Sequence, residues 1–499
     1  MTEQMTALAE NYPAAAELLR RHGGETLLTY LGQLHHRPLP DILPSEDLLT
    51  EVRDYFTPFF GAETAGECAD VLRRRRCLST ANHHHPAFEY MTVQDTILCD
   101  RWLRTQGETG VVVPFLSCAN PRLDNNVYPR GMLVYDCTAP EGCLRLPFYP
   151  FKLRHACVAA VEGISPDMVD NALDRLRQET RRGSCSLRTA DALERFCREV
   201  LLSDRVQRCG TLREQTTVIN AMLSQRYFTD RAPQYLWMPM ETLTARLLER
   251  DLRTEDALTC QMLFRQELRA SLLRALDGVS GCWTGDAGGT HFFWGLDRRA
   301  ALFPLRLRES AGTAALTGQN SLGEAVTVPL TPQALTEGLR DGSLLPGLFL
   351  CFLEAHFLRD FTVFGGFYQP TYLAEMRRGL VRALRETGGY KEEAAIIDGC
   401  SIWQLLFRIL VPVAKPVIST ALIMTFLACW NDFPLAKIML NSPDVRTLSI
   451  AAAYFKGTFS TNYALMTSGC VILIIPQLLI FTIFQRYIIS GVTAGAVKG

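Results

Sequence analysis

One stretch constrains this chain more than any other. Tyr463 to Gln485 runs for 23 residues without a formal charge (YALMTSGCVILIIPQLLIFTIFQ). At a helical rise of about 1.5 Å per residue it reaches roughly 34 Å, enough to cross a hydrocarbon core of about 30 Å with some tilt. Pro476 predicts a kink, which membrane helices tolerate where neighbouring groups take up the freed carbonyl. The competing reading of such a run is a buried helix of a soluble domain. A second uncharged stretch, Val417 to Trp430, extends to about Leu435 if Asp432 faces protein or water. Pro416 suits its first turn, and Lys437 can snorkel at the far end. The pattern predicts two transmembrane helices, at about 417–435 and 463–485. Lys391, Arg408, Lys415, Arg486 and Lys498 flank the pair, against Lys437, Arg446 and Lys456 between them, which favours both ends inside.

The rest of the chain has a different composition. The first 389 residues hold 43 of the 51 basic residues, yet only Lys152 among them is lysine; the last 110 hold five Lys and three Arg. All nine histidines lie before Tyr390, whereas four isoleucines precede it and fifteen follow. Charged residues fall from 90 in the first part to 13 in the second. A membrane segment explains fewer charges and more Ile, but not the near absence of Lys upstream, because a solvated surface accepts Lys and Arg about equally. Two segments of different origin therefore join near residues 385–391, by natural fusion or by gene assembly. The formal net charge of −1 implies no polyelectrolyte partner, so no nucleic acid is expected.

Sixteen cysteines include no CxxC pair and no common zinc spacing. A chain this long does not need disulfide stapling, so reduced, mostly buried thiols and a cytosolic upstream part are expected. Met1 to Arg21 has an amphipathic helical pattern without the basic and apolar regions of a signal peptide.

Helical periodicity appears at 46–57 with Ser45 as N-cap, and at 62–75, 166–181, 187–203, 239–250 and 255–277. Extended apolar runs lie at 110–117, 131–136, 290–296 and 301–307. The mixture predicts an α/β (or α+β) cytosolic region over residues 1–385, with a possible sub-boundary near 210, followed by a C-terminal α-helical membrane segment over 390–499.

Three upstream constellations carry chemical potential. Asn82, His83, His84 and His85 precede Pro86; imidazoles there suit metal binding or acid–base work, though at most two of three adjacent side chains share a face. Asn120 to Asn126, followed by Tyr128, Pro129, Arg130 and Gly131, forms a polar loop that can present Asn125 and Arg130 to an anionic or sugar ligand. Gly285 to His291, with Asp286, is a Gly-rich turn lacking both P-loop Lys and dinucleotide spacing. Gly365 to Pro370 is a weaker fourth. Each has a plain structural reading as well, because Asn, Asp, Pro and Gly are ordinary turn residues. The catalytic candidates are His83, His84, Asn125, Arg130, Asp286 and His291, and no metal site is assigned.

Before the first apolar run stands Glu393-Ala394-Ala395, then three residues to Gly399 and nine to Ile409-Leu410-Val411-Pro412. Glu392 and Glu393 fall in a first helical turn, where carboxylates favour the positive dipole end, and Gly399 permits a sharp turn into a second helix over 402–409. This spacing resembles the EAA loop of binding-protein-dependent ABC importer permeases. The resemblance continues through Lys415-Pro416, Trp430-Asn431-Asp432-Phe433 and the tail from Phe484 to Gly499, which looks like the maltose-type carbohydrate permeases. It covers about 22% of the chain, the last two of the family's six spans.

The resemblance implies a multi-pass protein of the bacterial inner membrane with a cytoplasmic N-terminal part. The implied partners are an ABC ATPase subunit, a second permease subunit, an extracytoplasmic sugar-binding protein and membrane lipid. ATP is then bound by the partner subunit, with no cofactor in the chain itself. The loop 391–412 becomes the ATPase-coupling element, through Glu392, Glu393, Ala394, Ala395, Asp398, Gly399, Ile409 and Pro412. The alternative is a soluble enzyme of unknown reaction in residues 1–385, with the membrane segment as an anchor or chimeric tail.

Overall fold

The computed structural model describes residues 10, 13–34, 45–88, 90–110, 112–136, 138–139, 142–227, 234–282, 289–310, 312–366, 368–388, 390–397, 402–407, 411–440, 442–453 and 463–496. The chain divides into two compact units, Met1–Gly399 and Cys400–Gly499. The division falls after the composition break, so the first helix of the EAA-like segment lies in the first unit.

A parallel sheet organises that unit. Strands β1 (Cys77–Ser79), β2 (Val112–Ser117), β5 (Gln234–Pro239) and β12 (Thr362–Phe364) pair in the order β12-β1-β2-β5. Their side chains alternate strictly between two cores. Leu78, Val112, Leu116, Leu236 and Met238 enter the larger one, while Cys77, Val113, Phe115, Tyr235 and Trp237 enter the other. A strand covered on both faces has no polar side, which is why residues 110–117 read as an unbroken apolar run. The run at β5 is short and merges with the next helix, so the pattern alone predicts no strand there.

Helices α1 (Pro13–His22), α2 (Leu27–Gln33), α3 (Glu46–Arg75) and α4 (Tyr90–Thr105) surround β1 and β2 in sequence. The two helices expected at 46–57 and 62–75 are both present and meet at a kink at Gly61, whose φ of +83° only glycine adopts without strain. Ser45 makes no side-chain cap; its hydroxyl accepts from Arg76 instead, at 3.2 Å. The hairpin of β3 (Gly131–Tyr135) and β4 (Cys143–Pro147) shares a separate core with α5 (Pro166–Arg181), α6 (Leu187–Phe196) and α7 (Leu212–Tyr227), built on Leu146, Leu173, Phe196 and Val218. Gly210, at the possible sub-boundary, is exposed, and its carbonyl accepts from the Gly163 N–H at 2.9 Å.

After β5 come α8 (Met240–Asp251), α9 (Leu258–Phe264) and α10 (Gln266–Leu276). The single helix expected over 255–277 is split at Arg265, which takes an extended conformation (φ −78°, ψ 113°). Two antiparallel sheets follow, β11-β6-β7 and β10-β9-β8, formed by β6 (Phe293–Leu296), β7 (Leu302–Pro304), β8 (Arg306–Ser310), β9 (Thr313–Gln319), β10 (Ala325–Pro329) and β11 (Leu344–Pro346), with α11 (Pro332–Asp341) between the last two. After β11 come a helix at Leu348–Phe352 and a π turn at Leu353–Phe357, both packed into the larger core. Helix α12 (Gln369–Thr387) packs on α10 at Gly379, where a Cβ would come within 2.5 Å of the Leu276 side chain. Helix α13 (Lys391–Ile397) ends the unit. The described cysteines carry free thiols, and most of those upstream are buried.

The second unit is helical. It contains α14 (Val411–Trp430), α15 (Pro434–Met439) and α16 (Tyr463–Ala496). Among the described residues one stretch, Tyr463–Phe484, is long and apolar enough to cross a membrane. The first predicted span differs from expectation. Its helix stops at Trp430 rather than 435, because Asp432 Oδ1 accepts the Leu435 N–H (3.3 Å) and Pro434 opens the new helix α15. Pro416 lies inside α14, not in its first turn.

Candidate functional site

Parallel α/β sheets present ligands beyond the carboxyl ends of their strands, which here means the residues after Ser79, Ser117, Pro239 and Phe364. Of the histidine cluster, His84 and His85 are buried beside this edge. His84 Nε2 lies 2.7 Å from the Arg213 carbonyl, which can only accept, so Nε2 carries the proton and Nδ1 accepts from the Ser117 hydroxyl at 2.7 Å. Burial pushes its pKa down to about 4. His85 donates from Nδ1 to the Pro86 carbonyl at 2.8 Å, and burial lowers it to about 3. His83 joins Cys118 in a backbone bridge. Among the described residues no three His, Cys, Asp or Glu side chains converge on a metal position.

His84 thus acts as a neutral brace between β2 and the start of α7. Replacing it by Phe strands the Ser117 hydroxyl and the Arg213 carbonyl, and is expected to cost about 1–3 kcal/mol in denaturant titrations. A base with a depressed folded pKa stabilises fully above its ordinary value of 6.5. This contribution is lost as pH falls through about 4, and the variant should lack that acid slope.

Sequence reasoning missed Glu241. This wholly buried carboxylate, in the first turn of α8, accepts from the Ala119 N–H at 2.8 Å, the Asn120 N–H at 3.2 Å and the Cys118 thiol at 3.2 Å. Burial raises its pKa. The available signal was an acidic residue placed directly after an apolar strand, where a solvated helix start and a brace for the neighbouring strand end look alike.

The other candidates disperse. Asn125 Oδ1 accepts the Val127 N–H at 3.2 Å, an ordinary Asx turn. Arg130 lies over the rings of Tyr128 and Phe151, at 5.6 and 5.4 Å. His291 Nδ1 accepts the Leu307 N–H at 3.0 Å, and burial brings its pKa down to about 4. Asp286 lies outside the described residues. Two constellations do meet: Asn120 and Thr290 line one cavity of about 360 Å³.

In the EAA-like segment, Ala394 and Ile397 are turned into the core of the first unit, 1% and 6% exposed. Tyr390, just before, donates its hydroxyl to Gln261 Oε1 at 3.2 Å. Glu393 and Ile397 line a charged groove of about 1140 Å³ with Glu51, Arg250, Asp251 and Arg359. Ala395 is half-buried, and Pro412 is exposed in the first turn of α14. Asp398, Gly399 and Ile409 lie outside the described residues, as does the Glu392 side chain. The second helix covers Ile402–Leu405 only, and Trp403 and Phe407 stack there, exposed, with ring centroids 6.0 Å apart.

Within the second unit α14 and α16 pack together. The Trp430 indole N–H donates to the Leu473 carbonyl at 3.1 Å, and the Gln477 amide to Asn431 Oδ1 at 2.7 Å. Ser468 and Thr482 return their hydroxyls to carbonyls four residues back, at 2.8 and 2.7 Å. These polar groups therefore bond within the pair, while Ile472, Ile475, Leu479, Phe481 and Ile483 are exposed. A helix apolar around its circumference and left uncovered is built for a hydrocarbon solvent.

This arrangement is that of an integral-membrane helical segment. Residues 354–494 match the family described as binding-protein-dependent transport system inner membrane component, and the C-terminal region carries that domain. Several of the relatives it resembles are named as permeases for sugars. The arabinooligosaccharides transport system permease protein AraQ of Bacillus subtilis is 38% identical over 107 residues, 21% of this chain and 38% of that protein. The melibiose/raffinose/stachyose import permease protein MelC of the same organism is 36% identical over 107 residues, 21% and 39% of the two chains. The diacetylchitobiose uptake system permease protein DasC of Streptomyces coelicolor is 32% identical over 122 residues, 24% and 43%. The chain thus spans about two fifths of the length of these relatives. No solved structure matches it.

Proposed function

We propose that this chain contributes the terminal membrane-embedded part of a carbohydrate importer, with α14 and α16 as adjacent spans and the first unit on the cytoplasmic side. The observation that carries the reading is the uncovered apolar surface of α16 within a region matching inner-membrane transport components. The uncharged part of α14, Ile418–Trp430, is shorter, and Lys415 at its start suits a snorkelling position. Partners of this reading are an ATPase subunit that hydrolyses ATP, a second permease subunit and an extracytoplasmic sugar-binding protein. Two helices do not enclose a polar route, so the partner permease must supply the remaining wall.

Coupling to the ATPase runs through the segment 391–412, with Glu392, Glu393, Ala395, Asp398, Gly399, Ile409 and Pro412 as contact or hinge residues. Ala394 and Ile397 face the core of the first unit, which leaves Glu393 and Ala395 as the reachable ones among the described side chains of α13. Co-expression with the ATPase subunit of a sugar importer tests this: wild-type chain is expected to co-purify with it, and Glu393→Lys to reduce recovery at least tenfold at unchanged expression. Equal recovery of both would sink the coupling assignment. The composition break supports a junction of two segments near 385–391; a contiguous read of the genome across codons 380–395 distinguishes a natural fusion from an assembled one.

A further inference from the structure

The 360 Å³ cavity at the carboxyl end of β2 belongs to no part of that reading, and its lining points to a ligand. Its position is where parallel sheets bind small molecules, and its volume lies at the small end of ligand pockets, about 300–1,000 Å³. Three residues with side-chain donors line it: Asn120, Ser280 and Trp294. Asn120 is held from behind, its backbone N–H donating to buried Glu241 and its Oδ1, 3.1 Å from the Cys118 sulfur, sharing with Glu241 the one thiol proton. That leaves its amide hydrogens, like the other two donors, without a partner among the described residues.

The wall opposite is aromatic and strained. Phe292 has φ +71°, a left-handed conformation that a bulky residue adopts only when its surroundings impose it. Gly347 imposes it: its N–H donates to the Phe292 carbonyl at 2.6 Å, and a Cβ there would come within 2.8 Å of the same oxygen. Phe292 and Phe349 are buried behind the cavity, and Trp294 stands partly exposed at its side. None of the described lining residues is charged.

Neutral donors beside aromatic faces match a molecule with hydroxyl oxygens on its rim and C–H groups on its faces. We propose that this cavity binds one neutral monosaccharide ring. The inference stands on the first unit alone and does not depend on the transport reading.

The test uses the full chain in lipid nanodiscs, with glucose, galactose and xylose as probes and glucose 6-phosphate as the charged control, read by saturation-transfer NMR and tryptophan fluorescence. At least one neutral sugar is expected to bind with Kd of about 1 mM or tighter. Asn120→Ala is expected to weaken it about tenfold, one hydrogen bond's worth. Ser280→Trp, at an exposed position that folding tolerates, is expected to abolish it by filling the mouth. Absence of binding by all three sugars overturns the proposal. So does binding of glucose 6-phosphate alone, or binding unchanged in Ser280→Trp, which places the sugar elsewhere. Should Asn120→Ala lower the melting temperature, the Ser280→Trp result decides.

Discussion

Replacing Arg359 by Met is expected to lower the unfolding free energy by about 3–5 kcal/mol, the cost of leaving buried charges uncompensated. Its guanidinium is 2% exposed and holds three carboxylates from separate elements. Nη2 reaches Asp47 at 2.7 Å and Asp251 at 3.1 Å, Nε adds Asp47 at 3.0 Å, and Nη1 bonds Glu354. Glu354 is fully buried and also accepts from Thr259 at 2.7 Å. One positive charge among three acids leaves excess negative charge, so the cluster favours keeping a proton. Burial, aided by Asp251, raises the Glu354 pKa despite Arg359. A carboxyl raised in the folded state stabilises below its unfolded value, and that contribution is lost as pH rises through the folded one. Asp47 behaves oppositely: burial alone would raise it, but Arg359 holds it below the usual range, so its contribution is lost on acidification. Denaturant titration across pH should show Arg359→Met destabilised throughout, and Glu354→Gln with a flatter alkaline limb. Recovery in Arg359→Met/Glu354→Leu would confirm that the unpaired acid, rather than lost volume, carries the penalty.

Ile475→Lys is expected to strip the protein from membranes. Ile475 lies near the middle of Tyr463–Phe484 and is 49% exposed. A lysine at a span's centre costs about 2.5–3.5 kcal/mol on insertion scales, and the short apolar part of α14 offers little anchorage once α16 leaves the bilayer. Alkaline carbonate extraction reads the outcome directly: wild type stays in the pellet and the variant moves to the supernatant. Lys substituted at Tyr463, at the helix end, should be nearly silent because it can snorkel. Equal extraction of wild type and Ile475→Lys would mean the apolar face is covered by protein instead.

The membrane helix and the EAA-like spacing were legible because both are local: one is a length of uncharged residues, the other a fixed interval along one segment. The parallel sheet was only partly legible. Residues 110–117 carry a continuous apolar run of usable length, whereas β1 and β12 have three residues each, too few for any periodicity. The chemical constellations were hard to read for another reason. His84, Asn125 and His291 are polar residues spent on backbone groups, and their sequence neighbours look the same whether the partner is a ligand or a carbonyl. Asn120 and Thr290 came together, and the strain at Phe292 that marks their cavity has no sequence signature.

The sheet order has a consequence for how the protein is made. Strand β12 pairs with β1 in register Cys77↔Thr362, so the first unit's sheet closes only after nearly all of that unit has left the ribosome. Helix α13, whose Ala394 and Ile397 complete the core, emerges later still, just ahead of the apolar helix α14. Folding of the first unit and delivery of the apolar helices therefore compete for the same seconds of synthesis, and whatever slows elongation between codons 397 and 411 would decide which finishes first.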